Sequence, residues 1–237
     1  MANLKEAWAR VEDSVIGTEA YGDLIPPAPE LMRLLAAAIR EHVRGRVLDA
    51  GAGRLTHRFL LAPRADLYVS LDARPTHREL DVVADLLGPL PFRPSTFDAV
   101  VCSQVLEHVP EPGRALAGLA EVLRPGGRLV LSVPHLSYLH GLPHDYFRFT
   151  RHGIEHLVAQ AGLQLVSLEP AAGLLAFVTT PVSMLGLIAA CGAAPLRRPA
   201  LALNRAFVRA VAALDCRLDR EKLYAVNYVA VAVKPRA

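Results

Sequence analysis

Val47-Leu48-Asp49-Ala50-Gly51-Ala52-Gly53 decides how the rest of the chain is read. An apolar pair followed by an acid and two glycines describes a buried strand that breaks into a sharp turn. The Arg54-Leu55-Thr56-His57-Arg58-Phe59-Leu60 run beyond it has helical spacing. Glycines at such a turn let a ligand approach the backbone closely. The pattern falls short of a dinucleotide fingerprint, because Thr56 stands where a third glycine is expected, so alone it also describes a tight structural turn.

On the carboxyl side, Leu67-Tyr68-Val69-Ser70-Leu71-Asp72 is a second apolar run ending in an acid, about twenty residues past the turn. A doubly wound sheet puts that carboxylate beside the first strand, within reach of both hydroxyls of a ribose. Asp81-Val82-Val83-Ala84-Asp85-Leu86 reads as a short third strand whose closing Asp85 suits an adenine amino group and equally a cap or turn. Phe97 to Ser103 and Gly127 to Val133 are the fourth and fifth strands, with a helix from Pro112 to Leu123 between them. Thr150 to Gln160 is a further helix, and Leu163 to Leu168 and Tyr224 to Val233 are the last strands. On the amino side, Pro29 to Val43 forms a helix ended by Gly45, and Leu4 to Ile16 forms an amphipathic helix before Gly17. Trp8 in that helix and Tyr21 beyond it suit core packing or a substrate mouth. Strands alternating with helices predict an α/β fold with a mostly parallel sheet, whose ligands bind at the carboxyl ends of the strands. Asp49, Asp72, Asp85 and Gln104 all fall at such ends.

The 237 residues suit one such domain, and 26 Lys and Arg against 23 Asp and Glu leave a net charge of only +3. That is far from the dense basic patches of nucleic-acid binders, so no nucleic-acid partner is expected. Three scattered cysteines (Cys102, Cys191 and Cys216) and an amino end without an apolar leader core read as buried thiols in a cytoplasmic protein.

With the order and spacing of these segments in view, "VLDAGAG", "LYVSLDARP", "DVVADLLGPLPF", "FDAVVCSQVLEHVPEP" and "LAEVLRPGGRLVLSVPH" resemble the successive motifs of class I S-adenosylmethionine-dependent methyltransferases, in the branch that includes the quinone-methylating enzymes. The resemblance covers about residues 30 to 169 and implies a Rossmann-like seven-stranded sheet with helices on both faces. It implies S-adenosylmethionine as cofactor, with the turn of Asp49, Ala50, Gly51 and Gly53 under its methionine part. Asp72 then holds the ribose, Asp85 and the Leu86 amide read adenine, and Gln104 faces the sulfonium. Leu55 departs from the small residue many members carry, and Glu107 and His108 of "LEHV" read as helix-start and packing residues ahead of catalytic ones.

Methyl transfer from a sulfonium is an in-line displacement, so the protein's work is alignment and exclusion of water, with a general base to help where the nucleophile is a hydroxyl or an acidic carbon. Candidates for the last task crowd between Pro134 and Thr150. His144 and His140 come first as the base, with His135 beside them, and Tyr21, Tyr138, Tyr146 and Arg148 are candidates to touch substrate. "HGLPHDYFRFT" also resembles a stretch found in one subgroup of these enzymes. The alternative is structural, with Asp145 and Arg148 pairing to pin the loop and Thr150 capping the next helix. Three closely spaced histidines without a cysteine or acid cluster do not predict a metal.

From Pro170 through Leu196 there is no charged residue. Its length would permit a membrane span, but Gly173, Pro181, Gly186, Gly192 and Pro195 interrupt it, and the central proline predicts two short helices. Leu201 to Leu218 then sets leucines and valines against arginines. The expectation is a single methyltransferase domain over 1–237, with an N-terminal helical cap at 1–29, a cofactor-binding core at 30–169, an apolar helical insertion at 171–222 and the last strand at 223–234. The insertion reads as a lid over a lipophilic substrate with peripheral membrane contact, as a homodimer interface through 171–218, or as core packing. The functional expectation is methyl transfer to a small, lipophilic acceptor. Its rivals are a non-methylating reaction such as cyclisation on the same cofactor fold, and a non-catalytic assembly partner.

Overall fold

The computed structural model describes residues 4–15, 19–191 and 194–236; Ile16 and Gly17, expected to end the first helix, and Gly192 lie outside them. The chain divides into two compact units, one of residues 1–33 and 170–226 and the other of residues 34–169 and 227–237.

The second unit is built on a sheet. Its strands are β1 (Gly45–Ala50), β2 (Ala65–Asp72), β3 (Val82–Val83), β4 (Phe97–Ser103), β5 (Leu123–Pro134), β6 (Gln164–Ala171) and β7 (Asn227–Val233). They form one seven-stranded sheet in the order β3-β2-β1-β4-β5-β7-β6. The strands from β3 to β5 run parallel and β7 runs antiparallel to β5. The order reverses between β1 and β4, which makes the carboxyl end of β1 the switch point where this architecture takes its ligands. Val47, Ala99, Val101, Val130 and Val231 from the central strands are buried with Leu35 and Ile39. These last two lie on the helix Ala28–His42 (α2, following α1 at Leu4–Asp13), whose apolar residues repeat at helical spacing. Branched apolar side chains at the middle of a sheet buried on both sides are what its parallel part demands.

Three local readings are corrected by the backbone. The helix expected straight after the glycine turn begins only at Arg58 (α3, Arg58–Leu61), because Leu55 takes a φ of +60°, which a right-handed helix excludes. The third strand has only two residues paired, Val82 and Val83 opposite Leu71 and Asp72. The last strand starts at Asn227, since the Ala225 amide turns back to the Lys222 carbonyl at 3.1 Å. The remaining helices of this unit are α4 (Pro112–Val122) and α5 (Arg151–Gln160), and Thr150 caps α5 by accepting the Gly153 amide at 3.1 Å.

In the first unit, the uncharged stretch forms one helix, α6 (Leu174–Cys191), which runs unbroken through Pro181, and α7 (Arg197–Leu218) follows it. Pro181 takes one donor out of the ladder, and the Thr179 and Thr180 hydroxyls add bonds to the Leu175 and Ala176 carbonyls one turn back. The start of α6 is held by Asp215, a buried carboxylate of α7 that accepts the Gly173, Leu175 and Ala176 amides at 2.6, 2.9 and 3.2 Å. Lys222 neutralises it at 3.1 Å and reaches Glu30 at 3.2 Å. Trp8, Val11, Val15, Leu24 and Leu187 form this unit's core, with Tyr21 packed against them, and burial pushes the Tyr21 hydroxyl up to about 12.

Candidate active site

The glycine turn sits at the switch point and is fastened to the next strand. The amides of Gly51 and Ala52 both donate to the Leu71 carbonyl, at 2.8 and 2.9 Å, and the Gly53 amide donates to Asp72 Oδ2 at 2.9 Å. The other Asp72 oxygen accepts the Arg74 amide at 3.1 Å, and Thr76 donates its hydroxyl to the Gly53 carbonyl. A carboxylate has about four lone-pair sites, so two amides leave Asp72 with acceptor capacity for a ligand's hydroxyls. Gly51 needs to be glycine twice over, with a φ of +79° and a Cβ position only 2.3 Å from Val105 Cγ2. Gly53, at φ +52°, faces the opposite situation: among the described residues its Cβ position meets nothing within 4 Å, so its backbone borders open space there.

Asp49, buried next to last in β1, accepts the Tyr68 hydroxyl at 2.8 Å. Burial, only partly relieved by that bond and reinforced by the charge of Asp72, pushes its carboxyl up to about 7. Asp85 follows β3, exposed, and folds an Asx turn by accepting the Leu87 amide at 2.9 Å, with Leu86 buried beside it. The Ala84 amide donates to the Asp72 carbonyl at 3.0 Å, which ties this tip to that of β2. Gln104, at φ +55°, donates its backbone amide to the Ser132 carbonyl at 2.9 Å and its side-chain amide to Ser132 Oγ at 3.2 Å. The expected cofactor residues thus occupy adjoining strand tips.

Past Gln104 the chain makes a single 3-10 turn, Leu106–His108, as a helix-start reading of "LEHV" implies, but Glu107 within it is a feature the residue pattern did not reveal. Its side chain is completely buried, and neither carboxylate oxygen has a hydrogen-bond partner among the described residues. Two imidazoles face it instead, His140 Nε2 at 3.6 Å and His108 Nε2 at 3.8 Å from Oε1. Both distances exceed a hydrogen bond, and the three donor atoms lie within 4.8 Å of one another. The far nitrogens are pinned to backbone: His108 Nδ1 lies 2.6 Å from the His144 carbonyl and His140 Nδ1 lies 3.2 Å from that of Tyr138. If those nitrogens carry the protons, both Nε2 lone pairs point at Glu107. Burial lowers the affinity of His140 for its proton, but Glu107, the Tyr138 carbonyl and Asp145 outweigh it and raise the imidazole above its ordinary value. Among the described residues, Glu107, His108 and His140 are the group whose donor atoms, all within 4.8 Å of one another, come close enough to hold a metal ion.

The loop itself is pinned by an ion pair. Arg148 donates to both oxygens of Asp145, at 2.6 and 2.8 Å, and to the Tyr138 carbonyl at 2.6 Å. Arg148 holds the Asp145 carboxyl down at about 2, and Asp145 also accepts the His140 amide at 2.8 Å. Gly141, at φ +63°, lies so close to His108 that a Cβ would stand 2.6 Å from its ring. His144 lies exposed with Nδ1 3.0 Å from the Tyr146 hydroxyl, and His135 leans on Tyr228 with ring centroids 5.6 Å apart. His140 is therefore the loop histidine set against a buried acid, while His144 and His135 are not. Arg148 is committed to the loop, and Tyr138 and Tyr146 remain half exposed beside it. Tyr21 belongs to the other unit and packs in its core.

Comparison with known proteins bears on what such a site is for. The family model describing a methyltransferase domain matches residues 48–131. A ubiquinone biosynthesis O-methyltransferase of Burkholderia thailandensis is 38% identical over an alignment of 93 residues that covers 32% of this chain and 40% of that protein. Among solved structures, the [4+2]-cyclase SpnF superposes with a TM-score of 0.61 at 20% identity, over 89% of this chain and 82% of that one. The Haemonchus contortus phosphoethanolamine N-methyltransferase 2 in complex with S-adenosyl-L-methionine superposes with a TM-score of 0.59 at 14% identity, over 100% of this chain and 61% of that one. At those identities the structural likenesses establish the fold and nothing finer.

Proposed function

From the class I methyltransferase domain that the chain carries, we infer that it binds S-adenosylmethionine at the tips of β1, β2 and β3 and transfers the methyl group to a small, lipophilic hydroxyl-bearing acceptor of quinol type. The observation that carries this reading is the Gly53 amide bond to Asp72, which joins the glycine turn to an acid with acceptor capacity to spare, beside open space at Gly53. The residues fit the cofactor: Asp72 would take the ribose hydroxyls, Asp85 and the Leu86 amide the adenine, and the turn from Asp49 to Gly53 the methionine part. When bound, the cofactor supplies an electrophilic methyl on a sulfonium. The acceptor's likeness to a quinol is drawn from the ubiquinone-methylating relative, of whose length the chain spans only two fifths. A cytoplasmic location goes with this reading.

The chain's own task is then to place the acceptor and take its proton. His140 is assigned as the base, because the Glu107 carboxylate beneath it raises its affinity for a proton and compensates the imidazolium formed. His108 faces the same Glu107 oxygen, and the Asp145–Arg148 pair holds the loop that carries His140. A second reading rests on the pinned Nδ1 atoms, which present both Nε2 lone pairs with Glu107 to one point as metal ligands do, so that a divalent cation would bind and polarise the acceptor oxygen there.

Calorimetry with S-adenosylmethionine tests the first step. Saturable binding is expected, and Asp72→Ala is expected to weaken it by tenfold or more; no binding by the native protein refutes the reading. A screen of phenolic and quinol compounds for a product heavier by one methyl group then identifies the acceptor. Elemental analysis of the purified protein separates the base from the cation, since one equivalent of metal lost in Glu107→Gln is expected only of the second reading.

A further inference from the structure

The tips of β4 and β5 carry a polar chain that the proposed proton path leaves unused. Ser103 and Ser132 lie opposite each other in the β4–β5 register, Ser132 fully buried, with their hydroxyl oxygens 2.8 Å apart. Two hydroxyls among apolar strand residues could satisfy one another and need no third group. A third group nevertheless joins them. The side-chain amide of Gln104 turns back to donate to Ser132 Oγ at 3.2 Å, while its backbone amide donates to the Ser132 carbonyl at 2.9 Å. Ser132 therefore grips Gln104 twice. The residue so held takes a φ of +55°, a left-handed conformation that a glutamine adopts only at a cost, and such strain persists where the surroundings impose it. Among the described residues nothing donates to the Gln104 side-chain carbonyl oxygen, and the residue is only half-buried. An acceptor fixed in direction is thus left unspent at the strand tip.

We propose that Ser132 is a positioning residue that aims the Gln104 carbonyl oxygen at the cofactor's sulfonium, so that the site favours S-adenosylmethionine over the uncharged product S-adenosylhomocysteine. This rests on the cofactor placement given above, which also supplies the direction. With adenine at β3 and ribose at β2, the sulfur beyond the ribose lies towards β1 and then β4, since the sheet runs β3-β2-β1-β4. Val105, next to Gln104, packs on Gly51 of the glycine turn, so the β4 tip adjoins the methionine end of the site. The Gln104 dipole, its oxygen foremost, attracts a cationic sulfur more than a neutral one. It loses that target once the methyl has gone to the acceptor oxygen, because the pair of the broken C–S bond stays on sulfur and leaves an uncharged thioether. Gln104 then holds the cofactor before transfer and lets it go afterwards, and Ser132 keeps the oxygen pointed while this happens.

Calorimetry of the whole protein with S-adenosylmethionine and with S-adenosylhomocysteine gives the ratio of the two affinities, which a merely structural loss leaves unmoved. Ser132→Ala should lower that ratio about fivefold by weakening the first ligand alone, and Gln104→Met, which keeps the length and drops the carbonyl, about tenfold. Gln104→Glu should raise it, because the Ser132 hydroxyl can donate to the carboxylate and hold a full negative charge in the same place. Adding Ser132→Ala to Gln104→Met should change the ratio no further, since the serine acts only through the glutamine. Equal weakening of both ligands in Ser132→Ala overturns the proposal, as does an unchanged ratio in Gln104→Met or a lowered one in Gln104→Glu. A native protein that binds neither ligand refutes the cofactor placement, and this proposal with it. Binding of both ligands with a ratio that no variant moves leaves the cofactor placement standing and refutes this proposal alone.

Discussion

Asp49 gives the sharpest test of the site's electrostatics. Its carboxyl titrates near 3.8 when the chain is unfolded and is pushed to about 7 in the fold, mainly by burial. The folded state therefore holds a proton that the unfolded state has already released. Stability from this group is whole below pH 3.8 and is lost as the pH rises to about 7, beyond which nothing more is lost. The shift amounts to about 4 kcal/mol at most, near 1.4 kcal/mol for each pH unit. His57 masks it in the native protein, because burial holds that imidazole down near 4 and its contribution grows as the pH rises towards 6.5. The variant Asp49→Asn separates the two. It keeps a carbonyl oxygen to accept the Tyr68 hydroxyl and never ionises, so the difference between variant and native protein isolates Asp49. Thermal or urea unfolding from pH 4 to 8.5 should show the two alike at the acid end. The variant should gain steadily up to about pH 7, reaching roughly 10 °C in midpoint, and then run parallel. A difference curve flat across that range, or a native protein more stable at pH 8, would show that Asp49 ionises freely in the fold and that the burial argument is wrong.

Gly51→Ala forces a left-handed backbone and a methyl 2.3 Å from Val105, and should cost about 2–4 kcal/mol in urea unfolding; a loss under half a kcal/mol would mean that the turn yields. Asp145→Asn removes the charge and one of the two hydrogen bonds that Asp145 accepts from Arg148, so amides from Tyr138 to Arg148 should exchange faster at neutral pH while the sheet's do not. In the native protein, Asp145 stabilises above its unfolded value of 3.8, and that contribution is lost as the pH falls towards about 2, so the loop should loosen first on acidification. Glu107→Gln should lower turnover by about a hundredfold or more with cofactor affinity unchanged, and move the acid limb of the pH profile down, because His140 loses the anion that raises it. Equal activity in the glutamine variant would remove His140 from the proton path.

What was legible in the residues was what local geometry imposes. A run such as Val47 to Gly53 states its own conformation, since only glycine tolerates φ +79° against Val105, and an acid at a strand end can be placed by counting. What escaped was set by partners distant in sequence. Leu55 stood out against the small residue many members carry, but its φ of +60° goes with the Leu55 amide turning back to the Ala52 carbonyl at 2.8 Å, and the following helix is only four residues long. Glu107 reads correctly as part of a helical turn, yet its burial depends on a loop that returns from beyond β5 to lay His140 over it. No local signal announced it, since Gln104 and Glu111 stand three and four residues from Glu107, as on any polar helical face. The composition of α6 was plain too, but not that Leu174, Phe177, Val178, Val182 and Leu185 stay exposed, because period and hydropathy are silent about which side of an all-apolar helix is covered.

Asp49 and Glu107 together separate a site from a scaffold. The charges of both bear on the buried Cys102 thiol and push it up further than burial does alone. Val105, between Gln104 and Glu107, packs on Gly51, so the two acids belong to one neighbourhood of the sheet's carboxyl edge. Burying two carboxylates with one hydroxyl and two distant imidazoles as partners costs stability, and replacing such groups by apolar side chains of similar size is often neutral or stabilising. If they served only the fold, Asp49→Leu and Glu107→Leu would destroy it. The deficit of partners argues the other way: both variants should fold, with unfolding midpoints no lower than the native protein's, while losing cofactor affinity in the first and turnover in the second. Collapse of either variant would make the acid a structural member.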